Sequence, residues 1–210
     1  MEGEALTFGN QGTLFMRAMT WWDHKTESLW SQPWGTAIHG PMEGTALTLI
    51  PASIIPWSTW TQEHPETTVV LEGLDVDYFA VERGYDKFVV GVALEDAATA
   101  YEYRMALELR VINDEVGEHP VAVFVSSEPR DIKVYLRRVA DGDGDVSNLS
   151  FELDDEERVI DMETGSVWDI ARGVAVQGPL KGAVLQQIPY VSSYDWAWSN
   201  FFLHTTFYEG

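Results

Sequence analysis

Three acids alternate with glycine in Asp141-Gly142-Asp143-Gly144-Asp145, and Glu152 stands at the twelfth position counted from Asp141. That is the ligand spacing of a calcium loop, in which hard oxygen donors wrap a divalent cation. The glycine needed for the sharp turn at the sixth position is replaced by Val146, so a solvated acidic loop is the preferred reading and a cation site the sharper alternative. Five histidines (His24, His39, His64, His119 and His204) show no His-x-x-x-His or His-Glu-x-x-His spacing, and no zinc site follows from local sequence. No catalytic residue is assigned. Were the chain an enzyme, its most plausible chemistry is a metal-assisted hydrolase or lyase with His64, His204, Asp23 and Asp161 meeting between two lobes. Ser28 and Ser166 lack a Gly-x-Ser-x-Gly elbow, and Phe8-Gly9-Asn10-Gln11-Gly12 precedes neither Lys-Ser/Thr nor a helix, which argues against a serine nucleophile and a phosphate-binding loop.

Binding residues are easier to nominate. Nine tryptophans are present, six of them between Trp21 and Trp60. Most such rings serve a core, but aromatic faces also stack on sugars and apolar ligands. Trp34, Trp57 and Trp60 are the candidate ligand-binding rings, with Asn113 and Asp114 a polar pair before a hairpin turn. A small molecule or a glycan is the ligand class; no cofactor is evident beyond a divalent cation, and oligomeric state is not encoded legibly.

What must position these residues is a repeat. Asp23 to Pro51 returns, without a gap, as Asp161 to Pro189, with twelve of 29 positions identical, among them Asp23/Asp161, Trp30/Trp168 and Gly40/Gly178. A duplication at an offset of 138 residues is the reading. Asp-x-x-Thr-Gly-x-x-Trp spacing occurs in quinoprotein propeller blades, but two copies so far apart do not make a propeller. Asp23, Trp30, Asp161 and Trp168 are expected to be structural: the aspartate closes a hairpin loop by accepting backbone amides, Thr26, Ser28 and Trp30 share one strand face, and the indole enters the core.

The remaining periodicities fill in a mainly β protein with a few short helices. Residues 5–22 predict two strands around a glycine turn at Phe8–Gly12. Ala46–Ile50 and Val184–Ile188 predict short strands that stop at prolines. Trp57, Trp60 and His64 fall on one face of a short helix, and Asp195 is placed to cap a second one. Aligning His204 with His64 takes a two-residue insertion. A strand is expected over Thr67–Leu71 within an acidic connector, then strands over 87–94, 111–116, 120–125 and 132–139, with 97–109 part strand and part helical turn. Two β-rich lobes, 1–72 and 140–210, are bridged by a central β segment, 73–139; the lack of a Pro/Ser/Gly linker favours one compact unit.

Charge bounds the partners. Thirty-four acids face 13 bases across 210 residues, a net charge of −21, and only four of the bases are lysines. Phosphate backbones and anionic lipid need a basic footprint, so nucleic acid is excluded as a partner. A solvated acidic surface of the halophilic type is the expectation. No apolar run is long enough to span a membrane, and no basic-then-apolar start marks a signal peptide. Cysteine is absent, which removes disulfides and thiolate chemistry.

Taken in order, LTFGNQGTLF, WDHKTESLWSQ, GTAIHGPMEGTALTLIP, WSTWTQEHPETTVV, FVVGVALEDAATAYEY, VINDEVGEHPVAVF and DMETGSVWDIARGVAVQGPL resemble a prokaryotic domain of unknown function, family 3179, over nearly the whole chain. The resemblance implies mostly extracytoplasmic proteins with leader or lipoprotein sequences and no established activity; the leader itself is not in this chain. Family members commonly carry a Cys-Pro-Leu-Cys-type stretch ahead of the Leu-Thr-Phe-Gly strand. This chain has no counterpart to it, so the resemblance supplies architecture and no catalytic residue.

Overall fold

The computed structural model of the protein describes residues 5–52, 55–69, 87–126, 131–140 and 146–210. The chain opens with a four-stranded antiparallel meander, β1 (Phe8–Phe15), β2 (Ala18–Asp23), β3 (Leu29–Ser31) and β4 (Thr36–His39), in sequential order. The first turn lies at Met16-Arg17, both with positive φ, and not at the glycines. Gly12 instead sits where the β1–β2 register shifts between Asn10 and Leu14, its amide donating to the Asn10 side chain. The glycines therefore make an irregularity inside a longer strand, which a glycine pattern imitates. After a short helix, α1 (Trp57–Glu63), Thr67–Val69 run without strand pairing; the rest of the expected strand and connector lies outside the described residues.

The central hairpins follow as β5 (Phe88–Leu94) with β6 (Ala97–Glu102), then helix α2 (Tyr103–Leu109), then β7 (Val111–Val116), β8 (His119–Val125) and β9 (Ile132–Leu136). A small ribbon, β10 (Arg138–Ala140) and β11 (Val146–Asn148), leads to the second meander. That meander is β12 (Phe151–Leu153), β13 (Val159–Asp161), β14 (Val167–Asp169) and β15 (Val174–Gln177), again in sequential order. The last elements return to the centre. β16 (Gln186–Gln187) pairs with β9, β17 (Val191–Tyr194) pairs antiparallel with β5, and after helix α3 (Asp195–Phe201), β18 (Thr206–Phe207) pairs parallel with β6.

Two central sheets result, ordered β16-β9-β8-β7 and β17-β5-β6-β18. Strand alternation decides what each covers. Val121, Val123, Val125, Ile132 and Val134 face Val90, Val92 and Tyr101 of the other sheet. On the reverse face, Ala122, Phe124 and Tyr135 meet Phe151, Trp168 and Leu185 of the second meander. Sheets buried on both faces need apolar runs rather than alternation, and β5 and β8 are such runs. Opposite, Val89, Ala98 and Ala100 receive Trp198 of α3. A β-carbon on Gly91 would lie 2.3 Å from that indole, so only glycine admits it. The first meander packs on α3 through Phe15, Trp34 and Phe201, whose rings lie 5.4–6.4 Å apart.

Candidate functional site

In the first copy Asp23 is fully buried, and every bond its carboxylate makes is local. Oδ1 accepts the amides of Lys25 and Thr26, and Oδ2 accepts the Thr26 hydroxyl at 2.7 Å and the Trp30 indole N–H at 3.0 Å. Thr26 therefore lies in the hairpin loop, because the carboxylate gathers it there, and not on the strand with Trp30 as expected. Burial alone raises a carboxyl pKa; here the indole and the Thr26 and Lys25 donors outweigh it and hold Asp23 well below the ordinary value of 3.8. Thr26 also bonds Ser28 at 2.7 Å, and Ser28 accepts the Met42 amide at 3.0 Å, tying loop to turn. Phe8 meets Trp30 edge to face at 5.4 Å.

The second copy repeats these bonds. Trp168 donates to Asp161 Oδ2 at 2.9 Å, Thr164 bonds Asp161 and Ser166, and Ser166 accepts the Leu180 amide at 3.0 Å. Phe151 meets Trp168 edge to face at 5.7 Å. Gly40 and Gly178 take φ of 98° and 92°, and a β-carbon on either would strike the backbone of Ser28 or Ser166. These two glycines are demanded twice over, by conformation and by close approach.

Equivalence runs past the prolines. Trp60 donates to Thr67 Oγ1 at 2.9 Å and Trp198 to Thr205 Oγ1 at 2.7 Å, both across seven residues. Each helix ends on a matching cap, His64 at φ −128°, ψ 68° and Phe202 at φ −126°, ψ 75°. His64 thus corresponds without insertion to Phe202, not to His204. The expected His64/His204 correspondence is corrected by this helix geometry: no gap is needed. Asp195 is the first helical residue, not the cap, which is Tyr194.

Between the two copies lies a cleft of about 400 Å³, walled by Leu49 and Ile50 of the first and by Tyr190, Trp198, Phe201 and Phe202 of the second. Gly91 and Ala93 of β5 also line it. Among the described residues no charged side chain lines it. Its walls are aromatic and aliphatic.

The nominated residues fall in different places. Trp34 is spent on the junction between copies, its indole donating to the Phe201 carbonyl at 2.9 Å, one of the carbonyls a helix end leaves unpaired. Trp57 and Trp60 are on α1, which buries no residue, and are 54% and 37% exposed. Asn113 clasps Phe151, donating to its carbonyl and accepting its amide, both at 2.8 Å, and so fastens the second meander to β7. Asp114 accepts the Tyr101 hydroxyl at 2.9 Å; burial first, then this aspartate, pushes the Tyr101 pKa far up. His64 lies tilted against the Trp60 ring, with centroids 4.0 Å apart, and His204 is exposed. Asp141, Asp143 and Asp145 lie outside the described residues, and Glu152 is exposed on β12. No group of three or more His, Cys, Asp or Glu able to hold a metal ion occurs among the described residues. None of the cleft residues Tyr190, Phe201 and Phe202 is nominated from the sequence; the repeated Ile-Pro of Ile50-Pro51 and Ile188-Pro189 is the signal that could have found them.

No helix of the described residues is long and apolar enough to cross a membrane. A model of the family described as a protein of unknown function (DUF3179) matches residues 1–87 and 78–205. No curated protein and no solved structure matches the chain.

Proposed function

The chain belongs to the DUF3179 family of proteins of unknown function, and we propose that it is a non-catalytic binding module of the cell envelope or exterior whose inter-repeat cleft takes an apolar ligand. The observation that carries this reading is the composition of that cleft, about 400 Å³ with aromatic and aliphatic walls and Gln32, Ser193 and Tyr190 as its main polar lining. Ligand pockets are mostly apolar with a few polar groups for orientation. A glycan would need more hydrogen-bond partners than these, so an aliphatic or aromatic small molecule fits better. The metal-assisted alternative is weakened by Asp23 and Asp161, whose oxygens are occupied by indole, threonine and backbone donors.

Trp198 lines the cleft and reports on it. Titration of the full chain with octanol, followed by tryptophan fluorescence, is expected to give a saturable change. Ile50→Glu, on a side chain 82% exposed and so unneeded for folding, is expected to weaken uptake at least about tenfold. A linear, unsaturable response, or a variant that binds as the parent does, overturns the proposal.

A further inference from the structure

A second cavity, about 140 Å³, lies between the central sheet β7–β9 and the second meander, with no use in the reading above. Its polar lining is Arg110, Ser126, Asp131, Lys133 and Glu157, against an apolar wall that includes Phe124, Val159 and Ile170. Lys133 projects from β9 on the Tyr135 face and is only 5% exposed, although lysine is among the residues least often buried. Its ammonium stands 3.5 Å from Asp131 Oδ1, an ion pair too long for a good hydrogen bond. Asp131 Oδ1 is itself buried without a hydrogen-bond partner among the described residues. This Asp131 oxygen is therefore held away from water with a bond unmade, which is costly.

At the rim Arg110 pairs with Glu157 at 3.0 Å, and the Glu157 side chain is 75% exposed. Arg110 holds φ 62° and ψ −36° as the residue that ends α2, a conformation that residues with a β-carbon rarely adopt. Such strain, where observed, is a pointer to a site. A solvent-washed rim pair gives way at low cost.

A ligand that satisfies the deep end must offer an acceptor to Lys133 and a donor to Asp131 on neighbouring atoms, and an apolar part to the wall. It must also tolerate a chain of net charge −21, which repels simple anions. We propose that this cavity binds a small zwitterion of the free aliphatic α-amino acid class. The carboxylate accepts from Lys133, the ammonium donates to Asp131 Oδ1, and the side chain lies against Phe124, Val159 and Ile170. Room for several waters is room for such a molecule.

The test is calorimetric titration of the full chain with L-valine, isovalerate and isobutylamine, the last two each lacking one of the charges. L-Valine is expected to bind saturably at one site, and each single-charge analogue at least about tenfold more weakly. Lys133→Met is expected to abolish valine binding while octanol uptake in the inter-repeat cleft is kept. Should that variant fail to fold, Asp131→Asn, which preserves shape, is expected to erase the preference for valine over isovalerate. Absence of heat with valine, isovalerate binding as tightly as valine, or valine binding indifferent to these substitutions overturns the proposal.

Discussion

Trp60 and Trp198 hold equivalent positions 138 residues apart, on matching helices with matching indole-to-threonine bonds, yet the first is 37% exposed and the second 2%. Leu47 and Leu185 differ likewise, at 39% and 3%, as do Ile50 and Ile188, at 82% and 3%. One local structure is thus found in two settings. The second copy is covered by the central sheets and the first is not. Truncation to alanine separates the settings: Trp198→Ala is expected to cost about 3–5 kcal/mol by cavity formation and lost burial, and Trp60→Ala about 1 kcal/mol or less. Urea denaturation midpoints of the two variants check this.

Gly91 is where β5 lets the Trp198 indole touch its backbone. Gly91→Ala is expected to destabilise by about 1–3 kcal/mol, because the new methyl has no space unless the indole moves. The same substitution should lower octanol uptake in the cleft, read by the same fluorescence titration.

Acid should act through Asp23. Its folded-state pKa is lowered, so its contribution is fully present above the ordinary value of 3.8 and is lost as pH falls through the lower folded-state value. Asp23→Asn is expected to be less stable than the parent at neutral pH, with the gap closing as pH falls below about 4. Thermal melts of both proteins across the acid range measure it; a constant gap contradicts it.

Asn113 makes two bonds to one residue of the neighbouring sheet, to the Phe151 carbonyl and from its amide. Asn113→Ala is expected to cost about 2 kcal/mol, seen in denaturant midpoints. Asn113→Asp, which keeps the acceptor and loses the donor, should fall between.

With 34 acids against 13 bases, surface repulsion should weaken as ions screen it. The melting temperature is expected to rise from about 0.1 M to about 2 M sodium chloride, where short-range screening is nearly complete. An unchanged melting temperature removes the halophilic reading of the surface.

The repeat was readable because its chemistry is local. Asp23 reaches donors within seven residues, so sequence spacing nearly equals spatial spacing. Strands β5 and β8 declared themselves as apolar runs. What stayed hidden depends on distant partners. Val184–Ile188 carries a paired segment because β9 lies beside Gln186 and Gln187, while in the first copy only Ala46 forms a bridge, to Thr36. His64 was matched to the wrong residue because a shared residue type outweighed an ungapped offset. Trp34 was offered to a ligand and belongs to a helix end, since a ring facing a distant carbonyl leaves no local trace. Lys133, on the otherwise apolar strand β9, and Asp131 just before it were a polar signal overlooked in the central segment.

Strand β17 lies beside β5, with Val191 opposite Gly91, and β18 lies beside β6. Both meanders close on neighbours only, and topologies of that sort form quickly. The sheet built on β5 and β6 is another matter: its two outer strands, β17 and β18, follow the second meander in the chain. During translation, then, β5 and β6 wait with one edge each unsatisfied until residue 207 has cleared the ribosome. Such edges are the ones most prone to stray pairing, so the vulnerable moment in the biogenesis of this chain lasts until β17 and β18 have docked.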